Sequence, residues 1–176
     1  MIVLMGIAGA GKGTQAEMLV AKNGYTHVSS GELLRQYADE DQQKRLREGV
    51  LLSDDELYAI INKAFAETPD LQKCILDGVP RTIAQADWLL SQAAEGRFEI
   101  TAVIHITVTE DVVLERLLSR ARSDDTGAGI AKRFEVYRNN TLPIIEYFKD
   151  KGVRVYNVNG DQDPDAVHED VLRCLA

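Results

Sequence analysis

Cysteine is scarce in this 176-residue chain: there are two, Cys74 and Cys174. They lie far apart and make neither a disulfide framework nor a metal-ligating pair, and Cys74, inside an apolar run, reads as a buried strand residue. No apolar stretch approaches the ~20 residues of a membrane span, and no basic leader precedes the apolar N-terminal segment. With Met1 opening a strand, a cytoplasmic protein with no membrane partner is expected. Positive charge is also short: 20 Lys and Arg against 28 Asp and Glu leave a net charge of −8. That balance argues against nonspecific binding to nucleic acid. There is no internal repeat, and nothing demands a partner chain, so a monomer is expected. What remains is 45% hydrophobic and 27% charged, ordinary for a globular protein and long enough for one domain with a sizeable core.

The stretch around which the chain is organised is GIAGAGKGT, from Gly6 to Thr14, directly after the apolar run Ile2, Val3, Leu4, Met5. A buried strand that ends in a glycine-rich turn and reopens as a helix converges several backbone N–H groups on one point, and the helix dipole adds positive potential there. Gly6, Gly9, Gly11 and Gly13 let the chain wind tightly around phosphate oxygens, and Lys12 can reach the β and γ groups. The spacing fits G-x-x-x-x-G-K. Gly13 stands where the general motif has Ser or Thr, leaving Thr14 as the available hydroxyl. In an acidic protein the cations that meet a polyphosphate must cluster locally, and screening over ~8 Å lets such a cluster prevail over the net charge.

Along the chain, strands are expected at 2–5, 26–28, 74–78, 101–108 and 153–158, alternating with helices. The pattern implies an α/β fold with a five-stranded parallel sheet and right-handed crossovers. The first helix should run over 14–22, closed by Asn23 and Gly24. Three capping boxes suggest themselves, at Ser29/Glu32, Ser53/Glu56 and Thr82/Gln85, the last competing with any ligand role for Gln85. The polar run 38–47 reads as a solvated surface helix. A long amphipathic helix carries Ile130, Phe134, Tyr137 and Leu142 to Phe148, with Pro143 as its kink. His27 reads as a strand-edge side chain and His105 as a sheet residue. The strand at Cys74 ends on Asp77. Ligands gather beyond the carboxyl ends of parallel strands, where the glycine loop also opens, so Asp77 is placed to hold Mg²⁺ directly or through water.

Taken in order, GIAGAGKGTQ, SSGELLR, LDGVPRTIAQA, the helix carrying Arg116 and Arg120, and RSDD followed by KRFEVY resemble the adenylate kinases across nearly the whole chain. The resemblance implies a P-loop NTPase-type three-layer α/β/α fold: a single kinase domain over 1–176, a helical monophosphate-binding insertion over 29–52 and a short lid over 117–133. It implies reversible phosphoryl transfer from MgATP to AMP, giving two ADP. By the same resemblance, Gly9, Ala10, Gly11, Lys12, Gly13 and Thr14 would wrap the ATP phosphates, with Gln162 near the ATP adenine. Ser30, Arg35, Val50, Leu51, Leu52, Gly78, Val79, Pro80, Arg81 and Gln85 would meet AMP. Arg116, Arg120, Arg122 and Arg133 would close over the phosphates, the first two also against ATP and the last two also toward AMP. Lys12, Arg81 and these four arginines form the implied catalytic set, with Asp77, through water, and Thr14 as the magnesium residues.

The chain departs from the family pattern in places. Ala8 replaces the usual proline and Val79 the usual phenylalanine. The lid segment after Arg120 is shortened, with Thr126 and Gly127 where an acidic pair is usual. That segment holds no cysteine, so a zinc-bearing lid is not expected. A UMP/CMP kinase or a relaxed-specificity monophosphate kinase shares the architecture, and a non-catalytic nucleotide-binding module could use the same fold. The chemistry itself needs no general base: a nucleoside monophosphate has a second pKa near ~6, so its attacking oxygen is already anionic at neutral pH.

Overall fold

The computed structural model describes residues 1–47, 52–120 and 127–176. Five strands, β1 (Ile2–Met5), β2 (Thr26–Ser29), β3 (Cys74–Asp77), β4 (Ala102–Thr107) and β5 (Val155–Asn159), form one all-parallel sheet in the order β2-β3-β1-β4-β5. Between them run α1 (Lys12–Asn23), α2 (Ser30–Tyr37), α3 (Glu40–Arg47), α4 (Asp54–Glu67), α5 (Ile83–Ala94), α6 (Glu110–Arg120), α7 (Gly127–Val136) and α8 (Leu142–Asp150), with α9 (Pro164–Leu175) at the end. The chain winds outward from β1 to β2, returns through β3, then crosses to β4 and β5. The turning point of that path, beyond the carboxyl ends of β1 and β3, is where a ligand crevice forms in such sheets.

The two-residue period of β1 divides the interior into two cores. Met1, Val3 and Met5 pack with Ile61, Phe65, Leu89, Ile145 and Phe148 from α4, α5 and α8. Ile2 and Leu4 pack with Ala16, Leu19, Val113, Leu117 and Val171 from α1, α6 and α9. Burial on both faces explains why β1 reads as an unbroken apolar run rather than an alternating one. Each fully buried Leu or Ile contributes roughly 1.5–3 kcal/mol, and these two layers hold the loops above them in place.

Two helix boundaries differ from the sequence reading. α1 starts at Lys12 rather than Thr14, because Gly11 takes a left-handed conformation (φ 97°) and caps the helix with its backbone alone. The helix expected to kink at Pro143 breaks earlier, through a π-helical turn over Tyr137–Thr141 in which the Leu142 N–H donates to the Tyr137 carbonyl. Pro143 has no N–H to offer and its ring excludes the carbonyl four residues back, so the preceding turn widens. Among the described residues no helix is long and apolar enough to cross a membrane.

Candidate active site

β1 delivers the chain to the carboxyl edge of the sheet at Gly6. Its φ is +142°, and a Cβ there would lie 2.5 Å from the Ile106 carbonyl oxygen of β4, so only glycine can leave the strand this close to its neighbour. The turn closes as the Ala10 N–H donates to the Ile7 carbonyl at 3.1 Å. No side chain caps α1, so its first N–H groups stay open to an anion. Lys12 folds back over the loop, its Nζ donating to the carbonyls of Gly6 at 2.8 Å and Ile7 at 3.1 Å. A phosphate at the loop would replace these neutral acceptors with an anionic one, which is the stronger partner.

β3 lies between β1 and β2, with Asp77 level with Leu4 on one side and Ser29 on the other. The register sets this carboxylate beside the glycine loop. Its Oδ1 is buried with no hydrogen-bond partner among the described residues, and its Oδ2 lies 3.9 Å from His27 Nε2, an ion-pair distance rather than a hydrogen bond. Burial pushes the Asp77 carboxyl upward, but the His27 imidazole and then the Lys12 and Arg81 charges outweigh it and hold the group below its ordinary value. A buried anionic oxygen with unused lone pairs next to a phosphate loop fits Mg²⁺ or one of its waters. Among the described residues no cluster of three or more His, Cys, Asp or Glu could hold a metal. A single carboxylate, helped by the Thr14 hydroxyl on the same cleft, suits a cation that keeps water and phosphate oxygens as its other ligands.

On the opposite wall, Ser30 opens α2 and is 2% exposed, with its Oγ unpartnered among the described residues. The expected box at Ser29 and Glu32 is not formed: the Ser29 side chain makes no cap hydrogen bond. Ser29 ends β2 and lines the cleft instead. At α4 the box is complete, Ser53 Oγ accepting from the Glu56 N–H at 3.3 Å while the Ser53 N–H donates to Glu56 Oε2 at 2.9 Å. At α5 half of it forms. Thr82 Oγ1 accepts the Gln85 N–H at 3.1 Å, but the Gln85 carboxamide turns to the Arg81 N–H and to Asp54, each at 2.7 Å. Arg81 Nε donates to the Gly78 carbonyl at 2.8 Å, folding the guanidinium over the 78–81 turn.

These walls enclose one cleft of about 1140 Å³. Gly9, Ala10, Gly11, Lys12, Gly13, Thr14, Arg116, Arg133 and Gln162 line it, as do Ser30, Arg35, Leu52, Asp77, Gly78, Val79, Pro80, Arg81 and Gln85. Arg116 Nη2 donates to the Gly160 carbonyl at 2.8 Å. Gln162 Nε2 donates to the Asn159 carbonyl and to Asp170 Oδ2. Val50, Leu51 and Arg122, together with the side chain of Arg120, lie outside the described residues. Two groups of this cleft, His27 and Tyr137, carry no site role in the sequence reading, and a third, Asp54, reaches the cleft only through its hydrogen bond to Gln85. His27 shares a face of β2 with Ser29 two residues on, and Tyr137 follows Arg133 by one helical turn, so both were accessible from periodicity. Asp54 was not, because it meets Gln85 across 31 positions. His105, buried in β4, bonds Asn157 Oδ1 at 2.8 Å and the Tyr137 hydroxyl at 2.7 Å, tying the sheet to the π turn.

Residues 4–153 match the family model described as adenylate kinase. The adenylate kinase of Prochlorococcus marinus (strain AS9601) is 35% identical over 181 residues, covering 99% of this chain and 98% of its own length. The chain belongs to the adenylate kinase family. That of Nocardia farcinica (strain IFM 10152) is 37% identical over 180 residues, and that of Corynebacterium glutamicum (strain R) 35% over 180, each with coverage of 99% and 98%. The five-stranded parallel sheet and the glycine loop after β1 are consistent with membership of this family of phosphotransferases.

Proposed function

We propose that the protein catalyses reversible transfer of the γ-phosphoryl group of MgATP to AMP, giving two ADP. The observation that carries this reading is the convergence of two kinds of wall on one cleft: the glycine loop with Lys12 on one side, and Ser30, Arg35, the 78–81 turn and Gln85 on the other, with Asp77 between them. In the proposed mechanism the loop N–H groups and Lys12 hold the ATP phosphates. Arg35 and Arg81 hold the AMP phosphate, whose oxygen attacks the γ-phosphorus as the bond to the β–γ bridging oxygen breaks. Arg116, Arg120, Arg122 and Arg133 neutralise charge on the transferred group, and the 117–133 segment acts as the lid that excludes water. Asp77, through water, and Thr14 would hold Mg²⁺, which would supply neutralisation of the ATP phosphate charge. No side chain need remove a proton, because the attacking oxygen is already anionic. Residues 29–52 form the monophosphate-binding insertion within a single kinase domain. The net charge of −8 fits a cytoplasmic monomer that works on free nucleotides, with no nucleic-acid or membrane partner.

The test is an initial-rate assay with MgATP against AMP, CMP, UMP and GMP, with ATP alone as the control for hydrolysis. Rapid ADP formation with AMP alone is the expected result. Preference for CMP or UMP would move the chain to a pyrimidine monophosphate kinase, and ATP hydrolysis without transfer would overturn the role given to the lid.

A further inference from the structure

Gln85 stands in the first turn of α5, is 6% exposed and lines the cleft. Its carboxamide is held at both ends. The Arg81 backbone N–H donates to Oε1 at 2.7 Å, and Nε2 donates to Asp54 Oδ1 at 2.7 Å. The two partners differ in kind: a backbone N–H only donates and a carboxylate only accepts. Turning the amide over would set Oε1 against the carboxylate and Nε2 against the N–H, replacing two hydrogen bonds with two repulsive contacts. The orientation of the amide is therefore dictated by its neighbours, even though its two ends are nearly the same size and shape. Each bond uses one of two capacities, so Oε1 keeps a lone pair and Nε2 keeps an N–H for a ligand.

We infer that Asp54 is a specificity-positioning residue, which locks the Gln85 carboxamide so that acceptor and donor face the monophosphate base in one fixed order. The inference rests on the proposed binding of AMP with its base at Gln85. Adenine offers an N6 amino donor beside the N1 acceptor, which matches a fixed acceptor and donor. A 6-oxopurine offers the reverse, an O6 acceptor beside an N1–H donor, and could pair only with the flipped amide. Asp54 thus acts against the wrong base without touching the right one, and a buried polar mismatch of this kind discriminates more strongly than shape does. Asp54 also stands in the first turn of α4, where a negative charge complements the helix N-terminus. Asp55 shares that turn without bonding Gln85, so Asp55→Asn separates the helix effect from the lock.

Inosine 5′-monophosphate, which differs from AMP only in this edge of the base, is the probe. Dissociation constants for AMP and for inosine monophosphate are measured by calorimetry on the full chain and on Asp54→Asn, Asp54→Ala and Asp55→Asn. Asp54→Asn keeps the shape of the side chain, and its amide can donate to a flipped Gln85 as readily as accept from the native one. The preference for AMP should fall roughly tenfold to a hundredfold in both Asp54 variants, the worth of a charge-assisted hydrogen bond, and stay at the wild-type ratio in Asp55→Asn. A ratio unchanged in Asp54→Asn, equal weakening of both nucleotides, or the same change in Asp55→Asn would overturn the lock. Should Asp54→Ala melt too low to assay, the near-isosteric Asp54→Asn decides alone. A wild-type protein that binds both nucleotides equally but phosphorylates AMP would sink the lock and leave the kinase reading standing. One that neither binds nor phosphorylates AMP would remove the reading beneath it.

Discussion

Substituting Gly78 by alanine should destabilise the protein in a way that replacing Ser30 partly repairs. Gly78 follows β3 with φ +83°, a region that costs an L-residue about 1–2 kcal/mol. A Cβ there would overlap Ser30 Oγ, while lying at an ordinary 3.6 Å from Ser30 Cβ and 3.5 Å from Arg81 Nη2. Ser30 is 2% exposed, so the overlap adds about 1–3 kcal/mol of overpacking, for a total of about 2–5 kcal/mol. Ser30→Ala alone removes a hydroxyl with no hydrogen-bond partner among the described residues, so its cost should stay within about 1 kcal/mol. The double variant keeps the backbone strain and loses the overlap, leaving a coupling of about 1–3 kcal/mol in its favour. Urea melts of the four proteins give the cycle, and each kcal/mol should appear as about 2–4 °C in Tm. A double variant no more stable than the sum of the two singles would refute the argument, because the overlap would then lie elsewhere.

Lys12→Ala and Arg81→Ala should each lower the transfer rate by at least ~10²-fold with unchanged circular dichroism, as for loss of a transition-state charge contact, and near-normal turnover in either would remove that residue from the site. Asp77→Asn should move the Mg²⁺ concentration needed for half-maximal rate upward, since an amide holds a hard cation less well than a carboxylate; an unshifted magnesium titration would exclude Asp77 as a contact. Burial lowers the pKa of His105, against the opposing hydrogen bond to Asn157. Burial also lowers that of His168, whose two ring nitrogens have no hydrogen-bond partner among the described residues. Each group takes up its proton less readily when folded than when unfolded, so its contribution is fully present above about pH 6.5 and is lost as the pH falls toward the lower folded value. Urea melts between pH 8 and 5 should show that acid slope, and His105→Gln should flatten it; an identical slope in the variant would place the effect elsewhere.

How much was legible in the sequence depended on how far apart the interacting residues are. The apolar run before Gly6, the Ser53/Glu56 box and the Gly24 cap are local, each set within four or five residues, and the structure has all three. The boxes at Ser29 and Thr82 had equally good local signatures, yet one is absent and the other half-formed. Ser29 is the last paired residue of β2, and Gln85 is claimed by the Arg81 N–H and by Asp54. A side chain with one amide to spend goes to the better-placed partner, and only the tertiary structure says which that is. Pro143 signalled a break but not its position, because the carbonyl it displaces lies one turn earlier.

By itself, then, the order of residues determined the alternation of strands and helices, the glycine loop and the family resemblance, since each is written in short-range periodicity and spacing. The sheet order β2-β3-β1-β4-β5 decided the rest. It sets Asp77 beside the glycine loop and within 3.9 Å of His27. It also supports the turn and helices that bring Asp54 to Gln85 and His105 to Tyr137. The reason is physical: a carboxylate or imidazole takes its charge state and its orientation from groups within a few ångströms, and packing, rather than sequence distance, chooses those groups.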